Sequence, residues 1–359
     1  MARKRIILGA GQCGMKLAHD YYIKFSSKGN ELIALSTSSE DSIGMPKMSI
    51  VQIATEGSGK KFTTGSSIWQ ENIGRLLREF ADIEDTDIIY FTSTAGGSGS
   101  SSVKYIADIL LEPDKGNRIF LVMVLPFGYE TLPFKPNTLR SISTLQDGGY
   151  IERMSILLFD NDILSKQYFD IEAIDPYLTV NTTNLEKINE HIVNSTSLVL
   201  DLINVYHDPS KFSLFTIDEV EHESVIFSNG FIGVDSKIFE GKSVPIKFNY
   251  GSISSAKNVI IAKSIRLGES NLVIKNNAGN FLEKVKKISS RAKNARIMYG
   301  IIRTNKIDDG TYIIIANNLD VNKYIAKVKE KVVTNVEGFL AKESKEKVLT
   351  TREKNLFDI

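Results

Sequence analysis

The sequence has little of what marks several protein classes. A single cysteine, Cys13, excludes an intramolecular disulfide and suits a reducing compartment. The four histidines, His19, His191, His207 and His222, are scattered without metal-ligand spacing and read as structural. Neither sign of charge dominates: 44 Lys and Arg against 43 Asp and Glu leave a formal net charge of +1, which gives no overall pull toward nucleic acid or anionic membrane. The longest strongly apolar run, Ile119 to Phe127, falls far short of the roughly 20 residues a bilayer requires. The charged start Met1-Ala2-Arg3-Lys4-Arg5 leads into an apolar run that breaks at Gly9, which reads as a first strand and not a secretion signal. Internal repeats and low-complexity blocks are also missing. What remains is an ordinary soluble composition, 42% hydrophobic and 24% charged, in a chain of 359 residues that can hold two domains. A cytoplasmic protein without direct membrane contact is expected.

The richest stretch is Ser93-Thr94-Ala95-Gly96-Gly97-Ser98-Gly99-Ser100-Ser101-Ser102. It follows Thr86–Thr92, a β-branched and aromatic run that reads as a buried strand, and precedes Val103–Leu111, whose apolar residues fall at helical spacing. Strand, glycine-serine loop and helix start together predict an anion site. Glycine allows close backbone approach, serine adds donors, and a helix N-terminus offers unpaired N–H groups. A flexible linker of the same composition has no reason to sit between a core strand and an amphipathic helix.

Other strand ends carry similar loops. Strand Arg5–Leu8 runs into Gly9-Ala10-Gly11-Gln12-Cys13-Gly14 and a helix expected from about Met15, matching G-x-G-x-x-G. Strand Glu31–Leu35 runs into Ser36-Thr37-Ser38-Ser39, and Glu40 and Asp41 come late for a ribose-binding acid. Strand Ile50–Ala54 leads to Gly57-Ser58-Gly59-Lys60-Lys61. This fails as a Walker loop because Ala54 replaces its first glycine and Lys61 its Ser or Thr. A helix over Ser67–Phe80 is expected to bury Ile68, Ile73, Leu76, Leu77 and Phe80. Strand Arg118–Leu125, a helix near Asn137 and strand Ser155–Phe159 ending in Asp160-Asn161-Asp162 complete an α/β alternation. That pattern predicts a doubly wound parallel sheet with ligands at the carboxyl ends of its strands.

A long helix over Thr183–Tyr206 is apolar almost all round and reads as a spine, with Asn189 near its start. Phe215–Glu223 begins acidic, as helix N-termini do. Strands near Ser224–Val234, Asn258–Ile265, Ala295–Arg303 and Thr311–Ala316 suggest a smaller α/β domain. A helix over Val321–Leu340 and a charged tail follow. Lys284, Lys286, Lys287, Arg291 and Lys293 form the densest basic run and read as a solvated helix face.

In this order the loops resemble those of the tubulin/FtsZ superfamily. Gly11-Gln12-Cys13-Gly14 is similar to the tubulin first phosphate loop, Ala95–Ser101 to the signature GGGTG[ST]G, and Thr216-x-Asp218-x-x-Glu221 to the catalytic loop NxDxx[DE]. Ala95 and Ser101 replace the signature's outer glycines. Thr216 replaces the asparagine, and Leu185 stands where an aromatic residue usually stacks on guanine. Such departures look like the TubZ branch of plasmid- and phage-encoded bacterial tubulins.

The resemblance implies GTP-binding over 1–180, a central helix over 181–207, an activation domain over 208–320 and a C-terminal helix and tail over 321–359. It implies a GTPase that polymerises head to tail and segregates DNA through a DNA-binding adaptor protein. GTP or GDP and Mg2+ would be held by Gly11, Gln12, Cys13, Ser36, Thr37, Ser38, Gly96, Gly97, Ser98, Gly99 and Ser100. Asn161 and Asn189 match guanine-reading positions, and Glu130 or Asn137 would reach the ribose. Asp218 and Glu221 would complete the neighbouring subunit's site and orient the attacking water. The alternatives are an FtsZ-like division GTPase, a tubulin-like protein that binds nucleotide without turnover, and an NAD-dependent oxidoreductase built on Gly9-x-Gly11-x-x-Gly14. The oxidoreductase leaves both the glycine-serine loop and the acidic segment without a role.

Overall fold

The structure, a computed structural model, describes residues 3–26, 29–38, 45, 48–55, 57–127, 134–169, 182–208, 217–239, 246, 248, 250–269 and 271–330. Its centre is a ten-stranded sheet built from β1 (Lys4–Ala10), β2 (Glu31–Ser36), β3 (Ser49–Gln52), β4 (Thr86–Ser93), β5 (Arg118–Leu125), β6 (Ser155–Asp160), β7 (Gly230–Ile238), β8 (Asn258–Ile265), β9 (Arg296–Arg303) and β10 (Thr311–Asn317). The spatial order is β3-β2-β1-β4-β5-β6-β7-β10-β8-β9. Every pairing is parallel except those of β10, which runs antiparallel to both β7 and β8. The expected doubly wound α/β sheet is present, and its second half joins the first directly through β6 and β7.

The central strands are apolar along their middles because both faces are covered. Along β5, Ile119, Leu121, Met123 and Leu125 face one core, while Phe120, Val122 and Val124 face the other. The first core is capped by α2 (Phe62–Glu71), α3 (Ile73–Glu79), α4 (Gly97–Leu110), α5 (Phe134–Asp147) and α9 (Asn271–Ser289). The second is capped by α1 (Gly11–Phe25), α6 (Asn161–Phe169), α7 (Thr182–Leu200) and α8 (Glu219–Ile226). Helix α7 is the expected spine: Ile188, Ile192, Val193 and Val199 pack in one cluster with Ile7 and Ile89 from the first half of the sheet and Ile260 and Ile313 from the second. It ends at Leu200, and turns carry the chain on to Tyr206.

Several elements depart from expectation. Helix α1 starts at Gly11 and α4 at Gly97, so both glycine motifs form first helical turns and not loops. The helix expected over Ser67–Phe80 is two helices broken at Asn72, whose side chain donates to the Ile68 carbonyl at 2.9 Å. Trp69 is fully buried there, whereas Leu77, expected inward, is exposed. Residues 224–229 finish α8 and turn through Asn229 and Gly230, both at positive φ, so the following strand begins only at Gly230. Residues 322–330 are helical, and the rest of the expected last helix and the tail lie outside the described residues.

Candidate functional site

The carboxyl ends of β1 to β5 gather around the start of α4. Neither α1 nor α4 has a side-chain cap; their N-cap residues are Ala10 and Gly96. The first four N–H groups of a helix have no intrahelical partner, and the helix dipole makes that end positive. The two starts are in close contact. Gly11 sits at φ +66°, and a Cβ there would stand 2.9 Å from the Gly99 backbone nitrogen. A Cβ on Gly99 would stand 2.8 Å from the Ala10 carbonyl oxygen, and one on Gly14 would overlap the Phe91 carbonyl. Glycine is required here because two strand-to-helix turns share the space of one.

Hydroxyls lock the surrounding loops to this centre. Thr37 shares a hydrogen bond with Ser98, and Ser98 donates to Ser58 at 3.0 Å. Ser38 donates its N–H to the Ser36 hydroxyl at 2.9 Å. The Thr94 N–H donates to the Val124 carbonyl at 2.9 Å, and its hydroxyl pairs with Thr138 at 3.1 Å. Ser100 donates to the Gly96 carbonyl. The serines and threonines expected as phosphate donors thus hold the loops in register, and the first-turn N–H groups of the two uncapped helix starts have no intrahelical partner. Gln12 is exposed and Cys13 half-buried on the first turn of α1.

Asn137 is 1% exposed and its amide is engaged within the protein. Its Nδ2 donates to Ala95 at 2.7 Å and Lys60 at 2.8 Å, while its Oδ1 accepts the Phe62 N–H at 3.0 Å. It ties the Gly57–Lys61 turn to the signature, and Glu130, the other ribose candidate, lies outside the described residues. Trp69, absent from the expected core, donates its indole N–H to the Ser98 carbonyl at 3.0 Å. Its spacing with Ile73, Leu76 and Phe80 is helical, and that was the signal for it.

One strand further along, Asn161 opens α6 and is 9% exposed, and its Oδ1 is buried with no hydrogen-bond partner. A buried acceptor left unpaired costs about 1–3 kcal/mol. Asn189 is half-buried on α7, near His191, whose ring meets Phe159 edge-on at 6.2 Å between centroids. Burial lowers the His191 pKa to about 4, keeping it neutral.

Asp218 and Glu221 are elsewhere. They open α8, which lies at the amino ends of the strands. Glu223 on that helix reaches Arg118, the first residue of β5, at 3.3 Å. Arg118 in turn grips Asp87 at 2.7 Å and lies 4.0 Å over the Phe227 ring. An eight-residue strand at about 3.3 Å per residue puts α8 on the order of 25 Å from the carboxyl-end loops. The Asp218 carboxylate caps α8 by accepting the Glu221 N–H at 2.6 Å, and Glu221 Oε1 lies 3.4 Å from Arg296 Nη2. Thr216 lies outside the described residues. One subunit therefore does not bring the two acids to the glycine loops. Nothing in the sequence spacing marks Arg296 as the companion of Glu221, or Arg118 as that of Glu223.

Residues 4–168 match the Tubulin/FtsZ family, GTPase domain. No curated protein matches the sequence. Among solved structures, a GTPγS-form protofilament of Bacillus thuringiensis serovar israelensis TubZ superposes with a TM-score of 0.71 at 12% identity, over 94% of each chain. CetZ from Methanosaeta thermophila gives 0.66 at 15% identity over 99% of this chain and 98% of its own. An M. jannaschii FtsZ dimer gives 0.63 at 17% over 88% of each. Residues 4–168 thus match the Tubulin/FtsZ family, GTPase domain, and nearly the whole chain shares its fold with TubZ, CetZ and FtsZ structures.

Proposed function

We propose that this chain is a GTP-hydrolysing filament protein that polymerises head to tail and moves plasmid or phage DNA through a DNA-binding adaptor. The observation that carries the reading is the opposition of two ends. Uncapped starts of α1 and α4 meet at the carboxyl edge of the sheet, and the acidic start of α8 lies at the amino edge. A surface on one end that complements a different surface on the other makes a heterologous contact, and such contacts propagate as open filaments. The neighbouring TubZ structure bears the description of a protofilament, which supports the same arrangement.

Within that reading, backbone N–H groups of Gly11–Cys13 and Gly97–Ser100 bind the phosphates. The orphan Oδ1 of Asn161 accepts from the N–H edge of guanine, and Asn189 is the second guanine-reading residue; adenine presents an acceptor at the equivalent ring nitrogen, which would leave it and the Asn161 Oδ1 unpaired. Gln12 would hold magnesium, which neutralises part of the phosphate charge when bound with the nucleotide. Glu221 of the next subunit orients the attacking water, and Asp218 fixes the helix turn that presents it.

Purified protein with magnesium is sedimented with GTP, ATP or NAD in parallel while phosphate release is followed, beside Glu221→Ala. Pelleting with GTP alone, and persistent polymer with little turnover for Glu221→Ala, is the expected result. Binding of NAD without GTP-dependent pelleting would revive the oxidoreductase. The DNA role is read separately, by testing whether a plasmid carrying the gene and its flanking DNA is lost faster when Glu221→Ala replaces the wild type.

A further inference from the structure

Strand β9 holds the acidic segment at three places. At its carboxyl end the Asp208 N–H donates to the Arg303 carbonyl at 3.0 Å. Midway, Ile217 packs on Gly300 so closely that a Cβ there would stand 3.0 Å from the Ile217 side chain. At its amino end the Arg296 guanidinium lies beside Glu221. The first two contacts fix the backbone on either side of residues 209–216. The third is of another kind. The Arg296 backbone is anchored, its N–H donating to the Lys257 carbonyl at 2.8 Å, but its side chain is 61% exposed. An ion pair this open to water contributes little to stability, so folding does not require it.

The charge on that face calls for it. In the head-to-tail arrangement, Asp218, Glu219 and Glu221 approach a bound triphosphate, and like charges brought together oppose association. Arg296 lies within that acidic face, on a rigid strand, beside the carboxylate expected to act. A planar guanidinium offers paired donors that match phosphate oxygens and stays protonated throughout. We propose that Arg296 is a second trans-acting residue: its guanidinium crosses the head-to-tail contact beside Glu221 and meets the terminal phosphate oxygens of the nucleoside triphosphate held by the next copy of this chain. The inference rests on the head-to-tail reading.

In the step it assists, the water oxygen bonds to the γ-phosphorus and the bond from that phosphorus to the β–γ bridging oxygen breaks. GDP leaves with the electron pair, and the water proton passes to solvent past Glu221. Arg296 donates hydrogen bonds to the developing charge and neither gains nor loses a proton. Cationic groups supplied by a neighbour to a transferring phosphoryl group act in this way in other nucleotide hydrolases.

The test compares wild type, Arg296→Ala and Arg296→Lys as full chains. Binding of a fluorescent GTP analogue to unpolymerised protein is expected to be unchanged in both variants, because Arg296 is at the far end from the nucleotide loops. Phosphate release per pelleted subunit is expected to fall at least tenfold in Arg296→Ala and less in Arg296→Lys. Labelled Arg296→Ala doped into wild-type polymer should lower turnover in proportion to the fraction incorporated, even where it does not pellet alone. Unchanged turnover per pelleted subunit overturns the inference. So does failure of the labelled variant to enter wild-type polymer, since the residue would then serve the contact and not hydrolysis. Failure of the wild type itself to pellet with GTP is read first; it refutes the head-to-tail arrangement and takes this inference with it.

Discussion

The Asp218 carboxylate accepts the backbone N–H of Glu221 at 2.6 Å, so the two acids of the α8 turn have unequal duties within one subunit. Asp218 is a helix cap, and Glu221 extends its carboxylate toward Arg296. Asp218→Ala should cost about 1 kcal/mol of stability through the lost cap. Asp218→Asn should keep both that stability and most of the turnover, because asparagine caps equally well and holds the same turn. Glu221→Ala should leave stability nearly unchanged and abolish most turnover. Urea denaturation set beside phosphate release separates these cases. Equal stability of Asp218→Ala and wild type would remove the capping role.

The glycines of the helix starts are predicted to be intolerant for steric reasons. Gly14→Ala would drive a methyl into the Phe91 carbonyl, and Gly99→Ala would set one 2.8 Å from the Ala10 carbonyl oxygen and 2.9 Å from the Thr92 hydroxyl. The Phe91 and Ala10 carbonyls belong to the paired strands β4 and β1 and cannot yield without parting them. Each variant should lose nucleotide binding and several degrees of melting temperature. Gly279 provides the contrast: it lies in α9 with nothing within 4 Å of its Cβ position, so Gly279→Ala should stabilise by about 0.5–1 kcal/mol. Thermal melts with and without GTP check all three.

The sheet was legible because its central strands are short apolar runs between turn signals, and β4, β5, β6, β8 and β10 fall within two residues of expectation. The helix starts were not, because glycine and serine disfavour helix locally and only the packing of Gly11 on Gly99, and of Gly65 on Gly97, overrides that preference. The site loops were legible as a set of strand ends. Their internal ties were not: Thr37 to Ser98, Asn137 to Lys60 and Trp69 to Ser98 link residues 29 to 77 apart in the chain. The same holds for the polar cluster that fixes the spine helix to β1, where Asp201 accepts from Arg5 and from Tyr21, both at 2.6 Å. No period or motif announces a pair separated by 196 residues.

A pH dependence follows from His222. It is 2% exposed, and its Nε2 lies 2.8 Å from the Val199 carbonyl, to which it donates when the ring is neutral. Burial lowers its pKa from 6.5 to about 4. Between those values the unfolded chain binds the proton and the folded chain does not. The stability contributed by the neutral ring is therefore complete above pH 6.5 and declines as pH falls toward 4. From pH 6.5 to pH 5 the loss should be about 2 kcal/mol. His222→Gln, whose amide can still donate to Val199, should flatten this part of the profile. Denaturation midpoints for the two proteins across that range check the prediction, and parallel profiles would refute it.

Asn161 sets binding against stability in a way that can be measured. Its Oδ1 is buried and unpartnered, so the nucleotide-free protein carries the cost of a desolvated acceptor. Asn161→Ala removes that acceptor. Without nucleotide its melting temperature should equal or exceed the wild-type value, contrary to the usual effect of truncating a buried side chain. With nucleotide the sign reverses. The variant should lose at least tenfold in affinity for GTP, about 1.4 kcal/mol, and with it most of the preference for GTP over ATP. Melting curves for the free protein and titrations with fluorescent guanine and adenine nucleotides read both halves. A variant less stable when free and unchanged in its preference would make Asn161 a packing residue and leave the base to be read by Asn189 alone.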